Sequence, residues 1–190
     1  PSANRFGRIS PTRASHVRDE LGDRVRIILE GGDCAVGLES TILSLVGSTP
    51  CLLRPGAISR SELEDTLHLR IAGVEKASGV RASGLLESHY APRTTLRLIR
   101  SEEILIKAGS DLPRTVMMCL HDTPTHPSID RILMPANPAD YGTRLYATLR
   151  ELDQGQYDLI LAEIPPDEEA WTAILDRLGR ASHIPHLSLI

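Results

Sequence analysis

Aromatic side chains are scarce in this chain of 190 residues. Phenylalanine, tyrosine and tryptophan make up 3% of it, and Trp171 and Phe6 are the single residues of their types. Because 41% of the residues are nonetheless hydrophobic, the core has to be built mainly from leucine, isoleucine, valine and alanine. This composition favours layered α/β packing over an aromatic-rich sandwich, and the length allows one large domain or two small ones.

Cysteine is rare, and long apolar runs are missing. Cys34, Cys51 and Cys119 form no C-x-x-C pair, so the sequence predicts neither a disulfide framework nor a zinc site. Each is interpreted as a small buried hydrophobic residue in or beside a strand. No stretch is long enough to cross a bilayer, and no basic leader precedes an apolar segment. The expected location is therefore cytoplasmic, without a membrane partner.

A strong excess of positive charge is absent as well. Residues 1–109 carry 15 basic and 13 acidic side chains, whereas residues 110–190 carry 6 and 12. The first part is the better electrostatic candidate for binding a polyanion. Its excess is too small to predict nucleic-acid binding, and DNA is not expected as a partner.

The first 73 residues contain two helix signals. Ser10 is the expected N-cap of the first helix, with Pro11 at the first helical position and Gly22 as the stop. Ser59 and Glu62 have the spacing of a capping box, which predicts a second helix to about residue 67.

Strand signals lie between these helices. Residues 25–32 are predicted as a buried strand, and residues 40–47 and 51–56 as a hairpin. The periodicity then disappears over residues 74–92, a stretch longer than usual connections inside a compact domain. We therefore expect a domain boundary, with residues 1–73 before a linker at 74–94 and a second domain at 95–190.

Strands and helices alternate in the last part. The predicted strands cover residues 95–99, 114–120, 130–135 and 157–165, and the predicted helices cover residues 101–109, a segment starting at Asn137 and Pro138, and residues 168–182. Short joints between such elements indicate an open, mostly parallel sheet covered by helices.

This last part has the layout of a nucleotide-binding fold without its motifs. It contains no G-x-G-x-x-G and no G-x-x-x-x-G-K-[ST] segment. Its four histidines are interpreted as solvated loop residues, and two arginines beside the apolar stripe of the middle helix as solvated or snorkelling neighbours. These residues are His121, His126, His183, His186, Arg144 and Arg150. A packing or interaction module is the resulting interpretation.

Polar clusters beside tight turns mark the first part instead. They are Ser2 and Asn4, then Glu39, Ser40 and Thr41, then Arg54, and finally His89 and Tyr90. Short donors with one planar guanidinium suit phosphate and carboxylate oxygens. Taken singly, each residue is better explained as a turn former, a strand entry or a surface residue. No nucleophile-and-base arrangement stands out, so such a site would bind and orient charged substrates.

Several segments resemble one family. PSANRFGRISPT, GLESTIL, LLRPGAIS and SGLLESHYAP occur here in the order found in long-form threonylcarbamoyl-AMP synthases, and residues 141–163 and 170–182 resemble the end of their second domain. The resemblance implies the C-terminal part of a YrdC-like α/β domain, a linker and a small Rossmann-like α/β/α domain. It also implies synthesis of threonylcarbamoyl-AMP and pyrophosphate from ATP, L-threonine and bicarbonate, for a downstream transferase complex that modifies tRNA.

The resemblance assigns roles by motif position. Ser2 and Asn4 would contact the nucleotide and its phosphate, Ser40 the adenylate or amino-acid end, and Arg54 the oxyanions. Tyr90 would close the site over a hydrolysable mixed anhydride and exclude water. Thr41 is left open, since it would equally well only begin the strand.

One departure from the family is expected to matter. Its members carry a Lys-x-Arg pair and a threonine-rich motif before the SAN segment, and here Lys76 and Lys107, both after that segment, are the only lysines. The chain is therefore interpreted as N-terminally truncated and inactive alone, with magnesium expected in the full-length enzyme. Two alternatives are a non-catalytic RNA-binding or interaction module and a carbamoyl-transferring domain, and the last part of the sequence argues against the second.

Overall fold

The structure is a computed structural model, and it describes residues 3–73, 89–100, 113–122 and 127–182. The helices are α1 (Ala14–Leu21), α2 (Arg60–Leu67), α3 (Pro138–Gln154) and α4 (Thr172–Ala181). The strands are β1 (Ile42–Ser44), β2 (Cys51–Arg54), β3 (Thr95–Ile99), β4 (Thr115–Cys119), β5 (Ile129–Leu133) and β6 (Leu159–Glu163). None of the helices in these ranges is long and apolar enough to cross a membrane.

Strands β3 to β6 form a parallel four-stranded sheet with the order β3-β6-β4-β5. All five residues of the inner strand β4 are buried, as expected for a parallel strand covered on both faces. This confirms the parallel α/β architecture and all four strands predicted after residue 95.

One face of this sheet packs against α3 and α4. The middle helix begins where predicted, because the Asn137 side chain accepts a hydrogen bond from the backbone N–H of Asp140 and Pro138 is the first helical residue. Its apolar stripe contributes Tyr141, Leu145 and Leu149 to the main hydrophobic core. A smaller buried cluster that includes Met117 and Cys119 lies on the other face.

The first part of the chain forms a small antiparallel hairpin. Strands β1 and β2 pair with each other, which confirms that prediction. The predicted capping box is also present, since the Ser59 side chain accepts from the N–H of Glu62 while the Glu62 side chain accepts from the N–H of Ser59. Helix α2 ends at Leu67, as expected.

The two parts of the chain share one core. Ile9 and Tyr90 are buried together with residues of the sheet and of α3 and α4. A bridge pairs Arg8 with Ala91, and the backbone N–H of Ala91 donates to the carbonyl of Gly7 at 3.0 Å. The segment around Tyr90 therefore connects the opening loop to the last part of the chain.

The strand predicted at residues 25–32 is wrong. These residues follow a 3₁₀ turn at Gly22–Arg24 without forming a strand, and Ile27 and Leu29 are exposed. An apolar segment becomes a strand only when a neighbouring strand takes up its backbone hydrogen bonds. No such neighbour lies beside it within the described ranges.

Three side chains differ from expectation. Ser10 does not cap α1, which begins at Ala14 with Arg13 at the N-cap position and no side-chain cap, although Gly22 ends it as predicted. Cys34 is exposed, whereas Cys51 and Cys119 are buried in strands. Arg150 is largely buried rather than solvated, because Glu20 and a backbone carbonyl compensate its charge.

Some boundaries shift and some expectations lie outside the described residues. The closing helix begins with a 3₁₀ turn at Glu169–Trp171 before α4. Arg144 and His121 are exposed, in agreement with their interpretation. The helix at residues 101–109, most of the linker, and His126, His183 and His186 fall outside the described ranges.

Candidate functional site

Three of the predicted binding residues lie together. The Arg54 side chain is buried, and its Nε donates to the Ser40 carbonyl at 3.0 Å while one Nη lies 3.3 Å from the Ser40 hydroxyl. Arg54 also donates a hydrogen bond to the Tyr90 hydroxyl. Arg54, at the end of β2, therefore connects Ser40, which lies just before β1, to Tyr90, which lies between the two parts of the chain.

Tyr90 is held rigidly at this point. Its backbone is left-handed, with φ of 62°, and the side chain is buried. Its ring lies 4.1 Å from the ring of His89 and 5.7 Å from that of Tyr146, measured between centroids. Burial, and then the charge of Glu39, raises the pKa of Tyr90, so the hydroxyl remains a donor at neutral pH.

Glu39, next to Ser40, is the centre of a hydrogen-bonded network. It accepts from the hydroxyl of Ser10 at 2.5 Å, from that of Tyr146 at 2.9 Å and from Nε of Arg177 at 2.8 Å. Burial alone would raise the pKa of Glu39, but the hydrogen bonds from Ser10 and Arg177 outweigh burial and lower it. The carboxylate is therefore ionised and fully occupied with holding its neighbours.

Arg177 supplies the charge opposite Glu39. Its side chain is entirely buried, and its other nitrogens donate to Asp176 at 2.6 Å and to the Pro55 carbonyl at 3.0 Å. Burial would lower the pKa of Arg177, but Tyr146 and Asp176 lead the groups that raise it, so the guanidinium stays charged. Its central carbon lies 5.3 Å from the centroid of the Tyr90 ring, within cation–π range.

Sequence reasoning missed Arg177 and Tyr146 and gave Glu39 no role. A signal was present, because Arg177 lies between Ile174 and Leu178 on the apolar side of a predicted helix. A charged residue on such a face needs a buried partner. The partner, Glu39, lies 138 residues earlier, and spacing cannot identify it.

Thr41 holds the loop together. Its hydroxyl donates to the Ile58 carbonyl at 2.8 Å, and β1 begins only at Ile42. A Cβ at Gly56 would lie 2.3 Å from the Thr41 nitrogen, so the turn after Arg54 packs directly on this strand entry. The close approach fixes the backbone that carries Ser40.

Asn4 organises the opening loop. Its Nδ2 donates to the carbonyls of Arg5 and Arg8 at 3.1 and 3.0 Å, while its buried Oδ1 has no hydrogen-bond partner in the part of the chain that the structure describes. The Phe6 ring in this loop contacts the ring of His89 edge-on at 6.1 Å. Burial lowers the pKa of His89, so this imidazole is neutral near pH 7. Ser2 lies outside the described residues.

The expected magnesium finds no ligand set here. Among residues 3–73, 89–100, 113–122 and 127–182, no group of three or more histidine, cysteine, aspartate or glutamate side chains is placed to hold a metal ion. The carboxylate nearest the candidate site, Glu39, is already bonded to three side chains. The described residues of this site therefore do not fit a magnesium ion.

A cavity of about 220 Å³ lies beside the opening loop, α1 and the end of α3. Its described lining residues include Arg5, Arg8, Arg93 and Arg150, but not Ser40, Arg54 or Tyr90. Asp19, Glu20 and Asp153 offset most of this positive charge. The cavity is therefore separate from the cluster of predicted binding residues.

The cluster around Arg54 is suited to binding and orientation. It offers a buried cation, a hydroxyl on Ser40 and a protonated phenol on Tyr90, which are donors for oxyanions. Its ionised carboxylate, Glu39, is neutralised by Arg177. The described residues of this cluster contain no pair of free titratable groups that would act as acid and base.

Family comparisons match nearly the whole chain. The family described as "Threonylcarbamoyl-AMP synthase, C-terminal domain" matches residues 58–183. The family described as "Telomere recombination" matches residues 1–56. The first match alone covers more than half of the sequence.

Curated proteins named threonylcarbamoyl-AMP synthase are similar to nearly the whole chain. The threonylcarbamoyl-AMP synthase of Bacillus subtilis is 31% identical in an alignment of 193 positions, which covers 96% of this chain and 56% of that protein. The synthase of Schizosaccharomyces pombe is 28% identical, with 97% of this chain and 52% of that protein covered. The chain thus spans about half the length of the curated relatives it matches.

Solved structures agree with this relationship. Pyrococcus abyssi Sua5 in complex with L-threonine is 27% identical and has a TM-score of 0.76, over 96% of this chain and 56% of that one. A doubly substituted variant of P. abyssi Sua5, at 24% identity and a TM-score of 0.78, supports the fold alone. On the family match over residues 58–183, the chain belongs to the threonylcarbamoyl-AMP synthase family.

Proposed function

We propose that this protein acts in the synthesis of threonylcarbamoyl-AMP from ATP, L-threonine and bicarbonate, with release of pyrophosphate, and so in the formation of threonylcarbamoyladenosine in tRNA. The observation that carries the proposal is the convergence of Ser40, Arg54 and Tyr90, which are up to 50 positions apart in the sequence. Family membership and the L-threonine bound by P. abyssi Sua5 support the substrate class.

The roles follow from the chemistry of the substrates. The threonine nitrogen forms a bond to the carbon of bicarbonate, and water leaves. An oxygen of the resulting carbamate forms a bond to the α-phosphorus of ATP, and the bond from that phosphorus to pyrophosphate breaks. Carboxylate, carbamate and phosphate oxygens all carry negative charge, and a buried guanidinium such as Arg54 binds them more strongly than an exposed one. We assign Arg54 and Ser40 to these oxygens, and Ser2 and Asn4 to the nucleotide and its phosphate.

Tyr90 is assigned to closing the site. Its buried ring and left-handed backbone hold one position with little freedom, which suits a residue that keeps water from a mixed anhydride. We further propose that residues 1–73 belong to the catalytic domain, residues 74–94 to a linker and residues 95–190 to a second domain. The product would pass to the transferase complex that modifies tRNA.

Substitution of Arg54 tests the proposal. We expect Arg54→Gln to lower kcat/KM for pyrophosphate release by roughly a hundredfold, because a buried charge-assisted contact is lost. Arg54→Lys is expected to restore only part of this, since lysine lacks the planar fork. The measurement is pyrophosphate release by the natural polypeptide with all three substrates.

Arg60→Gln is the matched control. Arg60 begins α2 and forms an exposed ion pair with Glu64, so its loss is expected to leave turnover within about twofold. Equal activity of Arg54→Gln and Arg60→Gln would contradict the assignment of Arg54. The same pyrophosphate-release assay on residues 1–190 alone tests the expectation that these residues are inactive by themselves. Salt-dependent binding of tRNA without turnover would favour the RNA-binding alternative.

A further inference from the structure

Two arginines on the last helices form ion pairs with the first part of the chain. Arg150 on α3 binds Glu20, and Arg177 on α4 binds Glu39 with 2.8 Å between Nε and Oε2. Both pairs are largely buried. The two pairs differ in the position of the glutamate. Glu20 lies in α1, whereas Glu39 directly precedes the proposed binding residue Ser40.

The guanidinium of Arg177 reaches three separate segments. Nε contacts Glu39, one Nη donates to the Pro55 carbonyl at 3.0 Å, and the group lies 5.3 Å from the centre of the Tyr90 ring. Glu39 precedes Ser40 and Pro55 follows Arg54 in the sequence. A single side chain of α4 therefore contacts Tyr90 itself and the direct neighbours of the other two proposed binding residues.

We infer that Arg177 is a positioning residue for the proposed synthase site. It sets the spacing between the Ser40 loop, the turn after Arg54 and the closing residue Tyr90, and it couples the last helix to substrate binding. This inference rests on the proposed function.

The chemistry of the guanidinium explains why one residue suffices. Its planar fork directs donors along fixed lines, and its nitrogens bind Glu39, Pro55 and Asp176 on different sides. Because the side chain is entirely buried, water does not replace a lost contact. A lysine would keep the positive charge but not the simultaneous contacts.

Coupling of this kind is reciprocal. A ligand that orders Ser40 and Tyr90 also favours the arrangement in which Arg177 holds them, so its binding stabilises the docking of α4. The last helix is thus expected to be more protected when L-threonine and ATP are bound. The pair of Arg150 and Glu20 is not expected to transmit such an effect, because the Arg150 guanidinium binds Glu20 and the carbonyls of Ile9 and Ser10.

Hydrogen exchange of the unliganded protein provides the first test, with Arg150→Lys as the matched control. We expect Arg177→Lys to increase amide exchange at residues 38–41 and 89–91 by roughly tenfold, since a charge-assisted contact restrains them. Arg150→Lys is expected to increase exchange at residues 8–10 instead. Glu39→Gln replaces Arg177→Lys if the latter does not fold, because it removes the charge and keeps the side-chain shape.

Kinetics of the natural polypeptide provide the second test. We expect Arg177→Lys to raise KM for L-threonine and lower kcat, for a combined loss of roughly thirtyfold in kcat/KM, because misplaced binding groups weaken both binding and orientation. Arg150→Lys is expected to keep kcat/KM within about threefold at equal thermal stability. If the role of Arg177 were merely structural, Arg177→Lys and Arg150→Lys would both lower stability, and their kcat/KM values would not differ.

The outcomes are distinguishable. If the natural polypeptide without substitutions, as used in the kinetic assay, forms no threonylcarbamoyl-AMP, the proposed function fails, and with it the positioning role. If the wild-type protein is active and Arg177→Lys matches Arg150→Lys in both exchange and kinetics, the inference about Arg177 is wrong while the proposed function stands. Increased exchange at residues 38–41 with a loss of kcat/KM confined to Arg177→Lys supports it.

Discussion

At the scale of single residues, Gly37 shows how closely the first part of the chain contacts α3. Its backbone is left-handed, with φ of +76°, and a Cβ there would lie 2.5 Å from the Cα of Thr143. The Thr143 hydroxyl also donates to the Ala35 carbonyl at 3.0 Å. The loop that leads to Glu39 and Ser40 therefore packs on the helix with backbone against backbone, which leaves no room for adjustment.

The prediction at this scale is that Gly37→Ala destabilises the protein by at least about 3 kcal/mol, from backbone strain and the collision with α3 together. Gly7→Ala is the control, since Gly7 has the same φ of +76° but nothing within 4 Å of its Cβ position. That variant is expected to lose only about 1 to 2 kcal/mol from strain. Urea unfolding of both variants checks this, and equal losses would contradict the close packing.

At the scale of elements, the two capped helices α2 and α3 differ in how much of their surface is buried. Asn137 caps α3, and seven residues of that helix are buried. Ser59 caps α2, in which no residue is buried. Both caps were predictable from the sequence because the residues involved are three positions apart. The depth of packing depends on the sheet, which α3 covers and α2 does not.

We predict that Asn137→Ala lowers the free energy of unfolding by about 1 kcal/mol, since the N–H of Asp140 loses its acceptor. Asn137→Asp retains an acceptor and is expected to lose little. By contrast, Ser59→Ala is expected to increase hydrogen exchange within α2 and to leave the global unfolding midpoint nearly unchanged. A global loss from Ser59→Ala as large as that from Asn137→Ala would show that this distinction is wrong.

The same scale shows why the strand predicted at residues 25–32 does not form. Its apolar residues satisfy the sequence criterion for a buried strand, but Ile27 and Leu29 remain exposed. The hairpin of β1 and β2 forms because its two strands are close in sequence and pair with each other. The local sequence pattern therefore predicted strands correctly where a neighbouring strand was close in sequence or where the parallel sheet supplied a neighbouring strand.

At the scale of the whole molecule, the buried His16 and the half-buried His89 make stability depend on pH. Burial, followed by the charge of Arg150, lowers the pKa of His16 below its ordinary value of 6.5, and burial likewise lowers that of His89. The Thr12 N–H donates to Nδ1 of His16 at 3.2 Å, which requires the neutral ring. The unfolded chain therefore binds more protons than the folded protein below about pH 6.5.

The resulting prediction is that the free energy of unfolding falls as the pH decreases from 7.5 to 5.5. The lowered pKa of Glu39 adds a further loss as the pH falls below the ordinary value of 4.5, because this carboxyl is then protonated more readily in the unfolded chain than in the folded protein. Urea unfolding from pH 7.5 down to below pH 4.5 measures both, and His16→Asn is expected to reduce the slope between pH 7.5 and 5.5. The exposed His68 provides the control as His68→Gln. Stability that is constant or rises towards pH 5.5 would contradict the prediction.

The α/β class, most helix and strand positions, the caps of α2 and α3 and the family were predictable from the sequence, because these depend on residues near one another or on motifs in fixed order. The tertiary structure decided that residues 25–32 form no strand, that Ser10 binds Glu39 instead of capping α1, and that Arg54 joins Ser40 to Tyr90. It also paired Arg177 with Glu39, which lie 138 positions apart. A buried charge requires a partner of opposite charge, but only the folded chain selects which one it meets.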